Sequence, residues 1–578
     1  MVSSLIDVHR HFRRPVEAPF TAADRDHVTI LFGGLTWKHE LMIQAVLQNN
    51  GYKCERLPTP DRDAHEIGKE YCSNGLCNPV YFTVGCLIRF LRGLEDSGMS
   101  RTDIVRNYVF FTAGSNGPCR FGMYEAEFRS ALEEAGFAGF RVLLFQQDHG
   151  VHATSGQSGL QFSVDFGMNA LHAFVLGDLL NDLHRKLRPY EAHPGEVDRF
   201  VSSVAVGVAA CLRDSKSFEL SHLVPEPIGS FLARRRSSRA YRWVNTTGKV
   251  LDHMFGKRLP AALAECLKPL TEIEVDWLRV RPVVKVVGEF WAQQTEGDGN
   301  YNMFEFLEKE GAEVAVEPLS NWVMYLLNQA KRRAAMHRKV LVHSSRTWNP
   351  AKSVGRWITH HGKRAVLSAG ESAYMRHYSR LARALGGISR PLPFQGELAA
   401  MADPHYCSGL RGGEGHLEVA KNLYYSANNM CHMVLALKPF GCLPSQQSDA
   451  VQAGLCDRVP EMLFLSVETS AEGSVHAYSR VQMALAEARV KAQKEFAAVL
   501  LETHKSLDEI REFVSQHAEL RSPLYRVTNR PGVVSTAANF VLDVHTLMES
   551  SGDRGSSYKS DARRRSMRIG TVATNQEI

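Results

Sequence analysis

His27-Val-Thr-Ile-Leu-Phe-Gly-Gly34 is a short apolar run that stops at two glycines. A helical pattern follows from about Trp37 to Asn50, and a second extended stretch lies near Tyr52 to Leu57. Strand, turn, helix, strand is the opening of a parallel α/β unit. The rhythm returns downstream. Tyr108-Val-Phe-Phe-Thr-Ala113 predicts a strand, Tyr124 to Ala135 a helix stopped by Gly136, and Phe140-Arg-Val-Leu-Leu-Phe145 another strand. A second series opens at Pro282-Val-Val-Lys-Val-Val-Gly288, passes through a helix at Met303 to Lys309 and reaches Ala312-Glu-Val-Ala-Val316. Later strands are expected at Lys339 to His343, Met433 to Leu437 and Met462 to Val467.

These units divide the chain. Residues 1–25 read as a charged N-terminal arm and 26–164 as a first α/β lobe carrying Cys77 and Cys119. Residues 165–280 are mainly helical, and 281–475 form a second α/β lobe carrying Cys442. The Ala-, Glu-, Lys- and Leu-rich stretch from Ser479 to about Gln516 is helical, within a C-terminal helical region 476–548. Residues 549–578 turn to Ser, Gly and Arg and predict a disordered tail.

Composition removes several function classes. The 578 residues are 44% hydrophobic and 22% charged, enough apolar content for large cores. No apolar run approaches the roughly 20 residues of a membrane helix. The first residues place charge where a signal peptide needs its apolar stretch, so a cytoplasmic, membrane-free protein is expected. The net charge of +6 is small for this length. The basic clusters near 234–242 and 331–339 lack interleaved aromatics beyond Tyr241 and Trp243, so they read as solvated faces and no nucleic-acid partner is expected.

Eleven cysteines, odd in number and scattered, argue against a disulfide framework. Three share a context. Cys77 lies in Cys72-Ser-Asn-Gly-Leu-Cys77-Asn-Pro79, just before a helix. Cys119 lies in Thr112-Ala-Gly-Ser-Asn-Gly-Pro-Cys119-Arg-Phe-Gly122, directly after a strand, and Cys442 lies in Lys438-Pro-Phe-Gly-Cys442-Leu-Pro444, after another. Helix N-termini favour the thiolate, the form that binds metal. Ligands of open parallel sheets sit at the carboxyl ends of strands. Three readings follow from the residues: unrelated buried thiols, a zinc site, or three thiolates on an iron–sulfur cluster with one iron left open. The paired Cys-x-x-Cys spacing of structural zinc sites is absent.

Cys77-Asn-Pro-Val-Tyr-Phe-Thr-Val-Gly85, Gly117-Pro-Cys-Arg-Phe-Gly-Met-Tyr124, Gly288-Glu-Phe-Trp291 and Lys438-Pro-Phe-Gly-Cys-Leu-Pro444 resemble blocks of the 2-hydroxyacyl-CoA dehydratase-like family, in its CoA-enzyme activase-related branch. Glu468-Thr-Ser-Ala-Glu-Gly473 with Ser479-Arg-Val-Gln-Met483 resembles a further block. The resemblance runs in order from about residue 28 to 500. It implies two Rossmann-like parallel-sheet lobes and an iron–sulfur cluster, [4Fe-4S] or double-cubane, held by Cys77, Cys119 and Cys442, with Cys72, Cys407 and Cys431 as spares. It further implies a low-potential electron delivered by an ATP-dependent activator and passed to an acyl-CoA thioester, giving a ketyl radical. A related subunit or a homodimer is the implied assembly. Long members carry an ATP-binding module whose phosphate loops read Asp-x-Gly-x-Thr; this chain begins after that module and lacks the loop, so ATP hydrolysis is expected of a separate protein. Glu289 and Glu468, after strands of the second lobe, are candidate proton donors, with capping as the alternative role. The backbone N–H groups of Gly117 and Gly441 are candidate donors to cluster sulfur, and Arg120 is a candidate partner for CoA phosphates or for carboxylates. A non-catalytic electron-transfer or scaffold subunit, and a zinc-bound structural protein, remain the alternatives.

Overall fold

Among the residues described in the computed structural model (17–115, 117, 119–146, 150–152, 159–161, 163–216, 218–219, 238–344, 350–410, 412–458 and 462–552), the α/β rhythm resolves into two sheets. In the first, β1 (Thr29–Phe32), β2 (Lys53–Arg56), β3 (Tyr108–Gly114) and β4 (Arg141–Gln146) run parallel in the order β2-β1-β3-β4. A short β5 (Gly150–His152) adds antiparallel to β4. In the second, β6 (Val283–Gly288), β7 (Glu313–Val316), β8 (Met433–Pro439) and β9 (Phe464–Thr469) are parallel throughout, in the order β7-β6-β8-β9. The two sheets share one strand order. It reverses between β1 and β3 in one, and between β6 and β8 in the other.

Burial explains why these segments are strands. β6 is buried at all six residues and β8 at all seven, as strands covered on both faces must be. Their lysines are paired instead of solvated: Lys285 Nζ lies 2.9 Å from Glu317, and Lys438 Nζ lies 3.3 Å from Glu418. On the first sheet, Ile30, Phe32 and Leu143 pack with Leu47 of the helix Trp37–Asn49 and with Phe166 of the helix Val164–Leu187. Leu31, Phe110 and Val142 face the other way, into the helices Pro79–Asp96 and Tyr124–Glu134.

The helical segment and the C-terminal helices are not separate bodies. Val175, Leu176 and Leu179 share one core with Val201 and Val204 of the helix Glu196–Arg213, with Trp277, and with Phe540 and Val544 of the helix Thr536–Gly552. Met42 and Val46 of the first lobe join the same core.

Several expectations change. Residues 17–25, expected as part of an arm, pack on the first sheet: Phe20 is buried, and Glu17 pairs with Arg129 and accepts from the Val142 N–H at 3.2 Å. Residues 1–16 lie outside the described residues. Lys339–His343 is not a strand but part of the 26-residue helix Leu319–Ser344. Apolar spacing at 319, 322, 323 and 326 sets a helical period upstream, and the short β-branched run continues it. The single C-terminal helix divides into Ser474–Glu502 and Leu507–Gln516, with His504 between them at φ 51°. Residues 549–552 finish the last helix, and the rest of the expected tail, 553–578, lies outside the described residues, as do Arg234–Arg236. The basic run from 331 is partly paired, Lys331 with Glu371 and Arg332 with Asp403 at 3.2 Å. Among the described residues no helix is long and apolar enough to cross a membrane.

One buried carboxylate ties the parts together. Asp178 Oδ1 accepts from the Leu319 N–H at 2.7 Å and lies 3.1 Å from His39 Nε2, while Oδ2 accepts from the Ser320 N–H at 2.7 Å. It therefore satisfies the first orphan donors of the Leu319–Ser344 helix and holds the helix Trp37–Asn49 to the same point. Asp178→Ala strands these buried donors and is expected to lower the unfolding free energy by about 3 kcal/mol. Asp178→Asn, keeping one acceptor oxygen, loses less. Shifts in the urea midpoint measure both, and an alanine variant as stable as the parent would refute the role.

Candidate functional site

Parallel sheets bind ligands at the carboxyl ends of strands, where the strand order reverses. Here the two reversal points look into one cavity of about 710 Å³. Gly33 and Gly34 follow β1, Cys119 follows β3, Glu289 follows β6 and Cys442 follows β8, and all five line it. Cys77, just ahead of the helix Pro79–Asp96, lines it as well.

The loops carrying the three cysteines are in contact. The Asn78 N–H donates to the Phe440 carbonyl at 2.9 Å, joining the segment after Cys77 to the segment before Cys442. At Gly441, φ is 76°, and a Cβ would lie 3.1 Å from the Leu76 carbonyl oxygen and 3.4 Å from Cys77 Cα. At Gly413, φ is 81°, and a Cβ would meet the Pro444 ring at 2.3 Å and Cys119 Cβ at 3.7 Å. Gly413 has no room for a side chain and Gly441 little, and both take a left-handed backbone, which is how the cysteine loops approach. Cys77 Sγ lies 2.9 Å from the hydroxyl of buried Tyr124. Each cysteine stands at the start of a helical turn: Cys442 caps Leu443–Cys456, Cys119 precedes Arg120–Met123, and Cys77 precedes Pro79–Asp96. Among the described residues, no three His, Cys, Asp or Glu side chains are grouped to hold a single metal ion.

Burial governs the electrostatics. It pushes the Cys77 thiol up to about 12 and Cys119 up to about 11, and raises Cys442 as well. The Tyr124 hydroxyl and, more weakly, the Arg120 charge pull Cys77 back down. The helix-terminal field favours thiolate, but desolvation outweighs it. The carboxyls behave alike. Burial lifts Glu289 to about 7, against the Ala292 and Trp291 N–H groups that donate to its Oε2 at 3.0 and 2.9 Å. Burial lifts Glu414 to about 8; neither of its oxygens has a hydrogen-bond partner, and the Lys421 ammonium lies 3.8 Å away. Glu40, whose Oε1 accepts from the Gly34 N–H at 2.8 Å and the Leu35 N–H at 3.1 Å, rises to about 8 for the same reason. At neutral pH the thiols, Glu40 and Glu414 hold their protons, and Glu289 is near its midpoint.

The expected site residues divide. Cys77, Cys119, Cys442, Glu289, Gly117 and Arg120 line the cavity. Glu468 does not; it is exposed on β9, at the sheet edge. Gly441, expected to donate to cluster sulfur, does not line the cavity; burial raises the Glu468 carboxyl, and the Gly441 N–H pulls it back down. Cys72 packs in the core of the first lobe, Cys431 packs beside Tyr425, and Cys407 is exposed; none lines the cavity. Glu40, Glu414 and Tyr124 were not picked out from the sequence. Gly412-Gly-Glu-Gly415 held the signal for Glu414: glycines crowding a lone acid mark a close-packed loop.

Scanned against protein-family models the chain matches none, and no curated protein matches its sequence.

The raised carboxyls carry a sign for stability. An acid with a folded-state pKa above its ordinary 4.5 binds its proton more tightly when folded. Its contribution is complete below about pH 4.5, declines as pH rises through 7 to 8, and is gone above. The share of stability these three carboxyls supply is therefore expected to fall between about pH 5 and pH 9. Glu414→Gln removes one of these groups and raises stability at the alkaline end, relative to the parent, by on the order of 2 kcal/mol. Denaturant midpoints across this range test it. A flat profile, with parent and variant coinciding at the alkaline end, would show that these carboxyls titrate normally.

Proposed function

We propose that the chain is an iron–sulfur redox protein of the 2-hydroxyacyl-CoA dehydratase or double-cubane reductase type. The supporting observation is the meeting of Cys77, Cys119 and Cys442, from three helix starts on two lobes, at one cavity where both sheets reverse. The donor set fits. The residues are three thiols lining one cavity, with Arg120 beside them.

When bound, the cluster supplies low-potential one-electron reduction and an iron able to act as a Lewis acid. The chain's residues do the rest. Cys77, Cys119 and Cys442 would hold the group, giving up their thiol protons to iron. The Tyr124 hydroxyl, 2.9 Å from Cys77 Sγ, would donate to that sulfur once it is a thiolate and so raise the potential. Glu289, with its pKa near 7 and its Oε2 fixed by two backbone N–H groups, is placed to hold or release a proton at the cavity. Arg120 faces the same cavity and suits the phosphates of a CoA carrier. The reading includes a cytoplasmic location, a separate ATP-dependent activator as electron donor, and a related subunit or second copy as partner.

Anaerobic preparation with iron and sulfide tests the reading. The parent is expected to take up both in equal amounts and to show visible sulfur-to-iron absorption. Cys77→Ala, Cys119→Ala and Cys442→Ala are each expected to lose that signal while keeping the parental far-ultraviolet circular dichroism. Protein that stays colourless and iron-free after reconstitution overturns the proposal, and so do three folded variants that all retain the signal.

A further inference from the structure

The cysteines make up only part of the cavity lining. The rest is a wedge between two helices pinned together at Asp178. From that anchor, Phe174, Ala170 and Phe166 line one side at four-residue spacing, one face of the helix Val164–Leu187. Trp322, Val323 and Leu326 line the other, along the helix Leu319–Ser344. The floor is the first sheet, through Phe32 and Phe111. Strand backbone there is engaged in sheet pairing, so this wall offers carbon and little else. Apolar lining on the second helix runs from Leu319 to Leu326, roughly 10 Å at 1.5 Å per residue, and Gln329 and Arg333 follow beyond it. That is longer than a single ring requires.

The part that holds the thiols fixes the head. Three carboxyl side chains, Glu289, Glu414 and Glu418, act on the thiols, with Glu418 paired to Lys438 and the Arg120 guanidinium lining the same cavity. A free carboxylate would meet more acids than the one guanidinium of Arg120 offsets, whereas an ester, thioester or alcohol brings no negative charge to them.

We propose that this cavity binds a long straight-chain aliphatic group with an uncharged oxygen-bearing head, such as a long-chain acyl thioester. The hydrocarbon lies in the wedge between the helices Val164–Leu187 and Leu319–Ser344, and the head lies at the thiols. Only the identification of that head as the reacting group rests on the function proposed above; the hydrocarbon site stands on the wedge itself.

The test uses the full chain, without cluster, and small probes. Nile red is bound and then displaced by straight-chain alcohols from hexanol to tetradecanol, with dodecanoate as the charged-head control. Affinity is expected to tighten about three- to fourfold per added methylene until the wedge is filled. Dodecanoate is expected to bind at least tenfold more weakly than dodecanol. Ala170→Trp and Val323→Trp each fill the wedge from one side; at least one is expected to fold, judged by circular dichroism, and to lose the chain-length dependence. Affinity independent of chain length overturns the proposal. So does dodecanoate binding as well as dodecanol, or a folded tryptophan variant with the parental series. A bulky polycyclic alcohol binding more tightly than every straight chain also overturns it. Iron uptake is scored separately, so a failed chain series and a failed cluster are distinguishable.

Discussion

The Asp178 carboxylate is the constraint on which the arrangement turns. It accepts two backbone N–H groups at the start of the Leu319–Ser344 helix and meets His39 on the first lobe's own helix. Around it, Thr36 Oγ1 lies 2.8 Å from His39 Nδ1, and Asn181 donates to the same hydroxyl at 2.9 Å. A buried carboxylate is costly unless its lone pairs are met. Here they are met by groups from two segments distant in sequence, and satisfying the charge fixes both relative to the helix that carries Asp178. From this point Phe174, Ala170 and Phe166 on one helix and Trp322, Val323 and Leu326 on the other line the apolar part of the cavity. The helix Leu319–Ser344 then continues past the cysteine loops, where Tyr325 donates to the Gly413 carbonyl at 3.1 Å.

The shared strand order gives the site a logic of correspondence. Cys119 and Cys442 occupy equivalent places, each after the third strand of its sheet in chain order and each at the start of a helical turn. Gly33 and Glu289 are likewise equivalent, each following the first. Cys77 has a counterpart in Glu414: both stand at the start of a helix in the excursion between the second and third strands. The lobes have therefore placed unlike chemistry on like geometry. Two of the equivalent positions carry thiols, and the third pair holds one thiol and one carboxyl. Facing the two reversal points toward each other brings all of them to one cavity.

Much of this was legible in the chain. Apolar runs ending at glycine located β1, β3 and β6 to within a residue or two, because a buried parallel strand leaves little freedom in composition. Cys119 and Cys442 were legible for the same reason, as residues at strand ends. Lys339–His343 was not, because a five-residue run with two valines is ambiguous until the helix feeding it is known. Glu468 looked equivalent to Glu289 by position after a strand. It differs because β9 is an edge strand and β6 a central one, and strand order cannot be read from spacing. Glu40 lies on a helix whose pattern marks it as an ordinary first-turn acid. Only the loop Gly33–Leu35 folding back over its carboxyl makes it a cavity group.

The site's charge follows from these placements. Three thiols and three glutamates gather where burial opposes ionisation, and the helix starts that would favour anions are too weak to reverse it. Such a cavity is a store of bound protons at neutral pH. A cation arriving at the sulfurs would replace thiol protons and be paid for by the thiolates it creates, which is why metal affinity at such a site rises with pH. The carboxyls respond in the opposite sense, since any negative charge added nearby raises them further and keeps them protonated. Proton donors thus persist beside the thiols after the thiols have lost theirs. A hydrocarbon wedge opening onto that acidic, proton-holding end selects for ligands that are apolar along their length and neutral at the tip, the combination that neither half of the cavity would impose alone.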